Sequence, residues 1–303
     1  MFKKPLSRRK FVGTLASASG LIISGSALAS TACNVIKNKP AALRKITLGK
    51  TGIKTTLLGM GTGFSGGNRS SAITRAGVAE EVIRYAWEKG IRFFDCADTY
   101  GTHPYAAKVL GGFPREKYTL TSKIWVLRGG IPEPERPDAD IVIDRFRKEL
   151  NTDYIDIVQL HCMMSGSWTD DQKKQMDILE NLKAKGIIRA HGVSVHSFQA
   201  LEAAAASSWV DVIHVRINPF GVSMDSKDPA TVVAVIKKLH DSGKGVIGMK
   251  LIGNGSYRDD PDKIDEAIKF VLGLGTVDMV IVGFENQGQI DNYFERVDRA
   301  FPG

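Results

Sequence analysis

Short apolar or β-branched runs recur along the chain at 56–60, 92–96, 118–124, 155–161, 188–195, 210–217, 245–251 and 277–284. Between them, over 78–89, 139–150, 171–184, 230–242 and 263–272, apolar positions return every three to four residues, the period of an amphipathic helix. Near-continuous apolar strands that alternate with helical crossovers pair in parallel and are covered on both faces. Eight such units predict an α/β fold, a closed (β/α)8 TIM barrel, with a tight N-terminal β-hairpin turning at Leu48-Gly49-Lys50-Thr51-Gly52. The competing arrangement is an open doubly wound sheet. It requires G-x-G-x-x-G after its first strand, and Gly59-Met60-Gly61-Thr62-Gly63-Phe64 lacks the third glycine.

A barrel of this kind takes about 250 residues, so the 303-residue chain holds one barrel behind a short leader. The expected division is a signal segment over 1–29, a linker over 30–43 and the barrel over 44–303. The net charge of +8 invites a nucleic-acid reading, but Lys3, Lys4, Arg8, Arg9 and Lys10 supply five of those charges before any acid occurs. The rest carries about +3, without the basic stripe that phosphate neutralisation requires, so nucleic acid is not an expected partner. Three cysteines with no C-x-x-C pair and no H-E-x-x-H exclude a disulfide framework and a dedicated metal site.

The leader has an address of its own. Ser7-Arg8-Arg9-Lys10-Phe11-Val12 resembles the twin-arginine signal, and the weakly apolar run from Phe11 to Ala29 ends in the small-x-small pattern Ala27-Leu28-Ala29 that a signal peptidase accepts. Export by the twin-arginine machinery to the periplasm or cell envelope is expected; an uncleaved anchor is the alternative. Ser30-Thr31-Ala32-Cys33 resembles a lipoprotein processing site, with Ser30 where an aliphatic residue is usual. A lipid anchor on Cys33 and a plain spacer cysteine both remain open.

In a barrel of this type chemistry is built where strands run out into the following loops. The second strand ends at Asp95, with Tyr100 five residues on; the third ends near Lys123 and the fourth at His161. A tyrosine is a weak acid, which a neighbouring ammonium strengthens by favouring the phenolate. An aspartate can hold that lysine, and a histidine can hydrogen-bond the substrate oxygen that receives the proton. Taken alone, Asp95 and Lys123 read equally well as a structural ion pair. Cys96 and Cys162 each follow one of these residues and, by strand alternation, should point away from the lumen as buried, inert thiols. Gly63-Phe64-Ser65-Gly66-Gly67 satisfies G-x-S-x-G, but no helix of the kind a nucleophile elbow needs follows at once.

These residues resemble the aldo-keto reductases. Phe93-Phe94-Asp95-Cys96-Ala97-Asp98-Thr99-Tyr100-Gly101, Thr121-Ser122-Lys123 and Asp153-Tyr154-Ile155-Asp156-Ile157-Val158-Gln159-Leu160-His161 are similar, in order, to the family's motifs, and the likeness runs from about Leu48 to Phe294. The resemblance implies hydride transfer between a nicotinamide cofactor and a small carbonyl or alcohol substrate: Tyr100 as general acid, Lys123 lowering its pKa, Asp95 fixing Lys123 and His161 orienting the carbonyl. The alternatives are a non-catalytic nucleotide- or ligand-binding barrel, and a sugar lyase or epimerase. The resemblance also implies cofactor contacts at Gly61 and Thr62, at Ser194 and His214 for the carboxamide, at Lys250 and Gly253 for the pyrophosphate, and at Phe284, Gln289 and Asn292 for the adenosine end. Val195 stands where the family places an asparagine. Family habit favours NADP, but 283–292 lacks the Lys or Arg often found there, which leaves NAD open. The chain ends at Gly303 without the long C-terminal loop of many relatives, and Trp125, Trp168 and Phe220 are the candidates to line an open substrate mouth.

Overall fold

The computed structural model describes residues 39–301; the twin-arginine pair Arg8-Arg9 and Cys33 lie outside them. Eight parallel strands close into a barrel: β3 (Leu58–Gly61), β4 (Phe93–Asp95), β5 (Thr119–Ile124), β6 (Ile155–Met163), β7 (Ile188–Val195), β8 (Val212–Arg216), β9 (Gly245–Met249) and β10 (Met279–Gly283). Closure joins the last strand to the first, with Val280 opposite Leu58 and Gly283 opposite Gly61. Every predicted run became a strand of this barrel.

The hairpin forms as well. Strands β1 (Lys45–Thr47) and β2 (Lys54–Thr56) pair antiparallel, and the turn drives Leu48 and Ile53 against Phe93, Ile157, Ala190, Val212, Ile247, Met279 and Ile281 inside the barrel. The hairpin therefore plugs one end of the lumen. A separate, larger core lies between the strands and the outer helices. The residues before the hairpin are structured too: Ala41–Leu43 forms a single turn with Ala42 and Leu43 buried, and the Ala41 amide donates to Asp298 Oδ1 at 2.6 Å. The barrel unit thus begins inside the expected linker.

Ten helices surround the barrel among the described residues: α1 (Ala72–Arg75), α2 (Ala79–Lys89), α3 (His103–Leu110), α4 (Ala139–Leu150), α5 (Trp168–Asp171), α6 (Lys173–Ala184), α7 (Phe198–Ala206), α8 (Pro229–Asp241), α9 (Pro261–Gly273) and α10 (Gln287–Ala300). Helix α8 shows the local logic. The Asp228 carboxylate caps the Ala230 amide, Pro229 occupies the first turn, and Val232, Val235, Ile236 and Leu239 form the buried stripe. Helices α3, α7 and α10 have no bounds in the periodic reading; α7 is built largely of alanines and α3 spans only two turns.

Candidate active site

At the C-terminal ends of the strands four side chains meet. Asp95, the last residue of β4, is only 2% exposed, and its Oδ1 accepts from Lys123 Nζ at 2.5 Å while His214 Nε2 lies 3.2 Å away. Burial works to raise the Asp95 carboxyl, but the lysine ammonium and the histidine ring prevail and hold it at about 2. The carboxylate is thus fixed in its charged form. Lys123 also donates to the Cys96 carbonyl at 3.2 Å and sits 5.2 Å from the centre of the Tyr100 ring.

Tyr100 ends a single turn, Asp98–Tyr100, that follows β4. Gly101, with φ of +67°, lets the chain leave that turn where a Cβ would lie 1.9 Å from the Arg69 carbonyl oxygen. The Tyr100 hydroxyl lies 3.4 Å from His161 Nε2 on β6, and the two rings meet edge to face. Burial pushes the phenol well above its ordinary value, with the Asp95 carboxylate adding to the effect. Burial pushes His161 well below its own, aided by the Lys123 charge, so a neutral phenol faces a neutral imidazole. The phenol thus stands above its ordinary value because burial prevails, the nearby ammonium being engaged by Asp95 and the Cys96 carbonyl rather than by the phenol oxygen. Trp125, half-buried, packs edge to face against His161, ring centres 5.2 Å apart.

A groove of about 470 Å³ opens from Asp95 and Tyr100 and runs past the ends of β3 and β10 to the first turns of α10. Of the residues expected to meet a cofactor, Gly61, Lys250, Gln289 and Asn292 line it. Five others are engaged elsewhere. Ser194 Oγ accepts the Cys162 amide, Thr62 Oγ1 donates to the Asp95 carbonyl, and His214 is fully buried against the Asp95 carboxylate. Gly253 is buried, its amide bound to the Lys250 carbonyl, and Phe284 packs beneath the groove against Tyr293. Of the three aromatics expected at the mouth, only Trp125 faces the cluster of Tyr100 and His161. Trp168 is 1% exposed and donates to the Ala200 carbonyl, so it belongs to the outer core; Phe220 packs on Tyr257.

Several groove residues carried no expectation, among them Phe64, Arg258 and Glu285. Phe64 lies in the glycine-rich loop after β3 and Arg258 eight residues beyond Lys250, neither of them on a strand. Cys162 departs from its expected buried place, although burial still pushes its thiol up. A bulge between Leu160 and Met163, with φ of +63° at Cys162, breaks the alternation of β6 and leaves the thiol half-buried, 3.0 Å from His196 Nδ1. Cys96 stays buried, its thiol pushed up to about 11, first by burial and then by the Asp95 charge.

The profile of the aldo/keto reductase family matches residues 57–269. Among curated proteins the chain is 24% identical over 225 residues to an aldo-keto reductase of Glycine max, covering 72% of this chain and 62% of that one. It is 26% identical over 195 residues to human aldo-keto reductase family 1 member A1, covering 56% of each. The chain therefore spans less than two thirds of the length of these relatives. Among solved structures, a chain from Pseudomonas aeruginosa assigned to the aldo-keto reductases superposes with a TM-score of 0.69 at 22% identity, covering 87% of this chain and 97% of that one. The holo form of an aldo-keto reductase from Bacillus halodurans superposes with a TM-score of 0.65 at 20% identity, covering 84% and 91%. Those structural likenesses speak for the barrel alone; with the profile matched across most of the barrel, the chain belongs to the aldo/keto reductase family.

Proposed function

We propose that the protein is a nicotinamide-dependent oxidoreductase that interconverts a small carbonyl compound and its alcohol at Tyr100. The observation that carries this reading is the meeting of Tyr100, His161, Lys123 and Asp95 at the inner end of one groove. The groove suits a dinucleotide on its own chemistry. Lys250 Nζ has only the Asn254 amide oxygen as partner, and Arg258 only the Gly255 carbonyl, so two cations without a carboxylate among the described residues face a channel able to take a pyrophosphate. When bound, the nicotinamide supplies the hydride.

The protein's share is to hold the carbonyl and provide a proton. His161 Nε2 and the Tyr100 hydroxyl, 3.4 Å apart, form a pair that one carbonyl oxygen can bridge. A phenol held above its ordinary range keeps its proton at neutral pH, and it releases that proton to the alkoxide-like oxygen that develops during reduction, a far stronger base than phenolate. The Lys123 charge close to the ring then favours the phenolate left behind. Asp95 keeps Lys123 in that place. Trp125 beside His161 gives the mouth an aromatic wall suited to a sugar-like or aromatic carbonyl.

Tyr100→Phe should abolish carbonyl reduction while nucleotide binding stays near the wild-type level; full retained turnover sinks the assignment. One observation favours a second reading, a barrel that binds nucleotide without turning it over: neither Ser194 nor His214, expected on the carboxamide, is among the residues that line the groove. Under that reading nucleotide binds and no carbonyl is reduced in a broad screen. We further propose that residues 1–29 direct export by the twin-arginine route, leaving the barrel periplasmic or held at the cell envelope by lipid on Cys33. Changing both Arg8 and Arg9 to Lys should then trap precursor in the cytoplasm, and unimpaired export refutes that route.

A further inference from the structure

If the catalytic end of the groove lies at Tyr100, the other nucleoside of a bound dinucleotide must lie at the far end, against the first turns of α10. The charges along the groove are not uniform. In the middle, a Cβ added at Gly283 or at Gly255 would touch Phe64 at 3.3 Å, so Phe64 spans the space between the end of β10 and the loop after β9, and the Arg258 guanidinium lies 5.6 Å from its ring centre. Both unpaired cations, Lys250 and Arg258, come from that central loop. The far end instead presents Glu285, Asn286, Gln289 and Asn292.

Glu285 has no ion-pair partner among the described residues. No lysine or arginine among the described residues lines that end. The Gln289 amide is capped by Asn286 Oδ1 and the Glu285 amide by Gln289 Oε1. Arg296 lies behind this end, but it is buried, its Nε on Asn292 Oδ1 at 2.6 Å and its Nη1 on Asp265 Oδ1 and the Pro261 carbonyl. A ribose 2′-hydroxyl can donate to a carboxylate, whereas a 2′-phosphate would set up to two more negative charges beside one that has no counter-ion.

We propose that Glu285 makes this protein selective for NAD(H) over NADP(H), against the family habit that favours the phosphorylated form. The inference rests on the oxidoreductase reading, and it assigns the central cations to the pyrophosphate shared by both dinucleotides and Glu285 to the ribose. The test is a titration of the full chain with NADH and with NADPH, read by quenching of protein fluorescence and by nicotinamide emission, so no turnover is needed. Wild type should bind NADH at least about tenfold more tightly than NADPH. Glu285→Gln should narrow that ratio, Glu285→Lys should reverse it, and Arg258→Met should weaken both dinucleotides by a similar factor. Tighter NADPH binding by wild type, an unchanged ratio in both Glu285 variants, or a loss confined to NADPH in Arg258→Met each overturns the inference while leaving the oxidoreductase reading standing. Binding of neither dinucleotide by folded protein overturns both.

Discussion

Gly63 offers a way to move Tyr100 without altering any group that does chemistry. Its backbone is not left-handed, so alanine meets no dihedral penalty there, but the new Cβ would lie 2.2 Å from Cε2 and Cζ of the Tyr100 ring, where ordinary contact begins at 3.4 Å. The ring must retreat by roughly 1.2 Å, and its other neighbours leave little slack: a Cβ at Gly66 would lie 2.6 Å from the same ring, and His161 faces it edge-on. Overpacking of this kind costs about 1–3 kcal/mol of stability, while a misplacement of about 1 Å at a reacting group lowers turnover by roughly 100-fold. Gly63→Ala should therefore lose about two orders of magnitude in kcat for carbonyl reduction with only a modest fall in Tm, and a dinucleotide titration separates this from any change in cofactor affinity. Gly67→Ala is the control in the same loop, since nothing lies within 4 Å of its Cβ; it should stay within about 0.5 kcal/mol of wild type. A folded Gly63→Ala protein with wild-type kcat would show that the seat of the Tyr100 ring does not govern turnover.

Lys123→Met should destabilise the fold by about 3–5 kcal/mol, because it leaves the Asp95 carboxylate buried without its ammonium. The Asp95 carboxyl is lowered from an ordinary 3.8 to about 2 in the folded protein, so its stabilisation is fully present above about pH 4 and is lost as pH falls toward 2. The gap in Tm between wild type and Lys123→Met should shrink across that window, and a gap independent of pH counts against the ion pair. Trp168→Ala should cost about 3–5 kcal/mol in denaturant unfolding and leave KM unchanged in the folded fraction. Trp125→Ala should do the opposite, raising KM for a carbonyl substrate with little loss of stability, and matching effects of the two would remove Trp125 from the substrate wall.

The barrel was legible because both of its periods are local. A strand buried on both faces reads as an unbroken apolar run, and a covering helix repeats at 3.6 residues, so all eight strands and most of the long helices show within windows of a dozen residues. Helix α7 escaped because its buried Ala200 and Ala204 are hard to tell from its exposed alanines. Asp95, Lys123 and His161 stood out for the same reason as the strands: each sits on a strand at the end where a barrel places its chemistry, and Tyr100 is one short turn away.

The groove was less legible, because its residues are brought together by loops whose paths no periodicity records. Ser194 and His214 occupy strand positions that point into the barrel, but what a polar atom does there depends on its nearest neighbour. A bulge in β6 delivered the Cys162 amide to Ser194, and the Asp95 carboxylate came within reach of His214. Phe64 and Arg258 stand at the tips of loops that meet only after the barrel has closed β10 on β3. Charge is the property that survives this uncertainty. An acid in the segment after β10 and cations in the loop after β9 are visible in the sequence, and closure decides which part of one extended ligand each will face. The Asp95 pair and the Glu285 carboxylate mark the two ends of that groove, one acid neutralised by a lysine and the other without a counter-ion among the described residues.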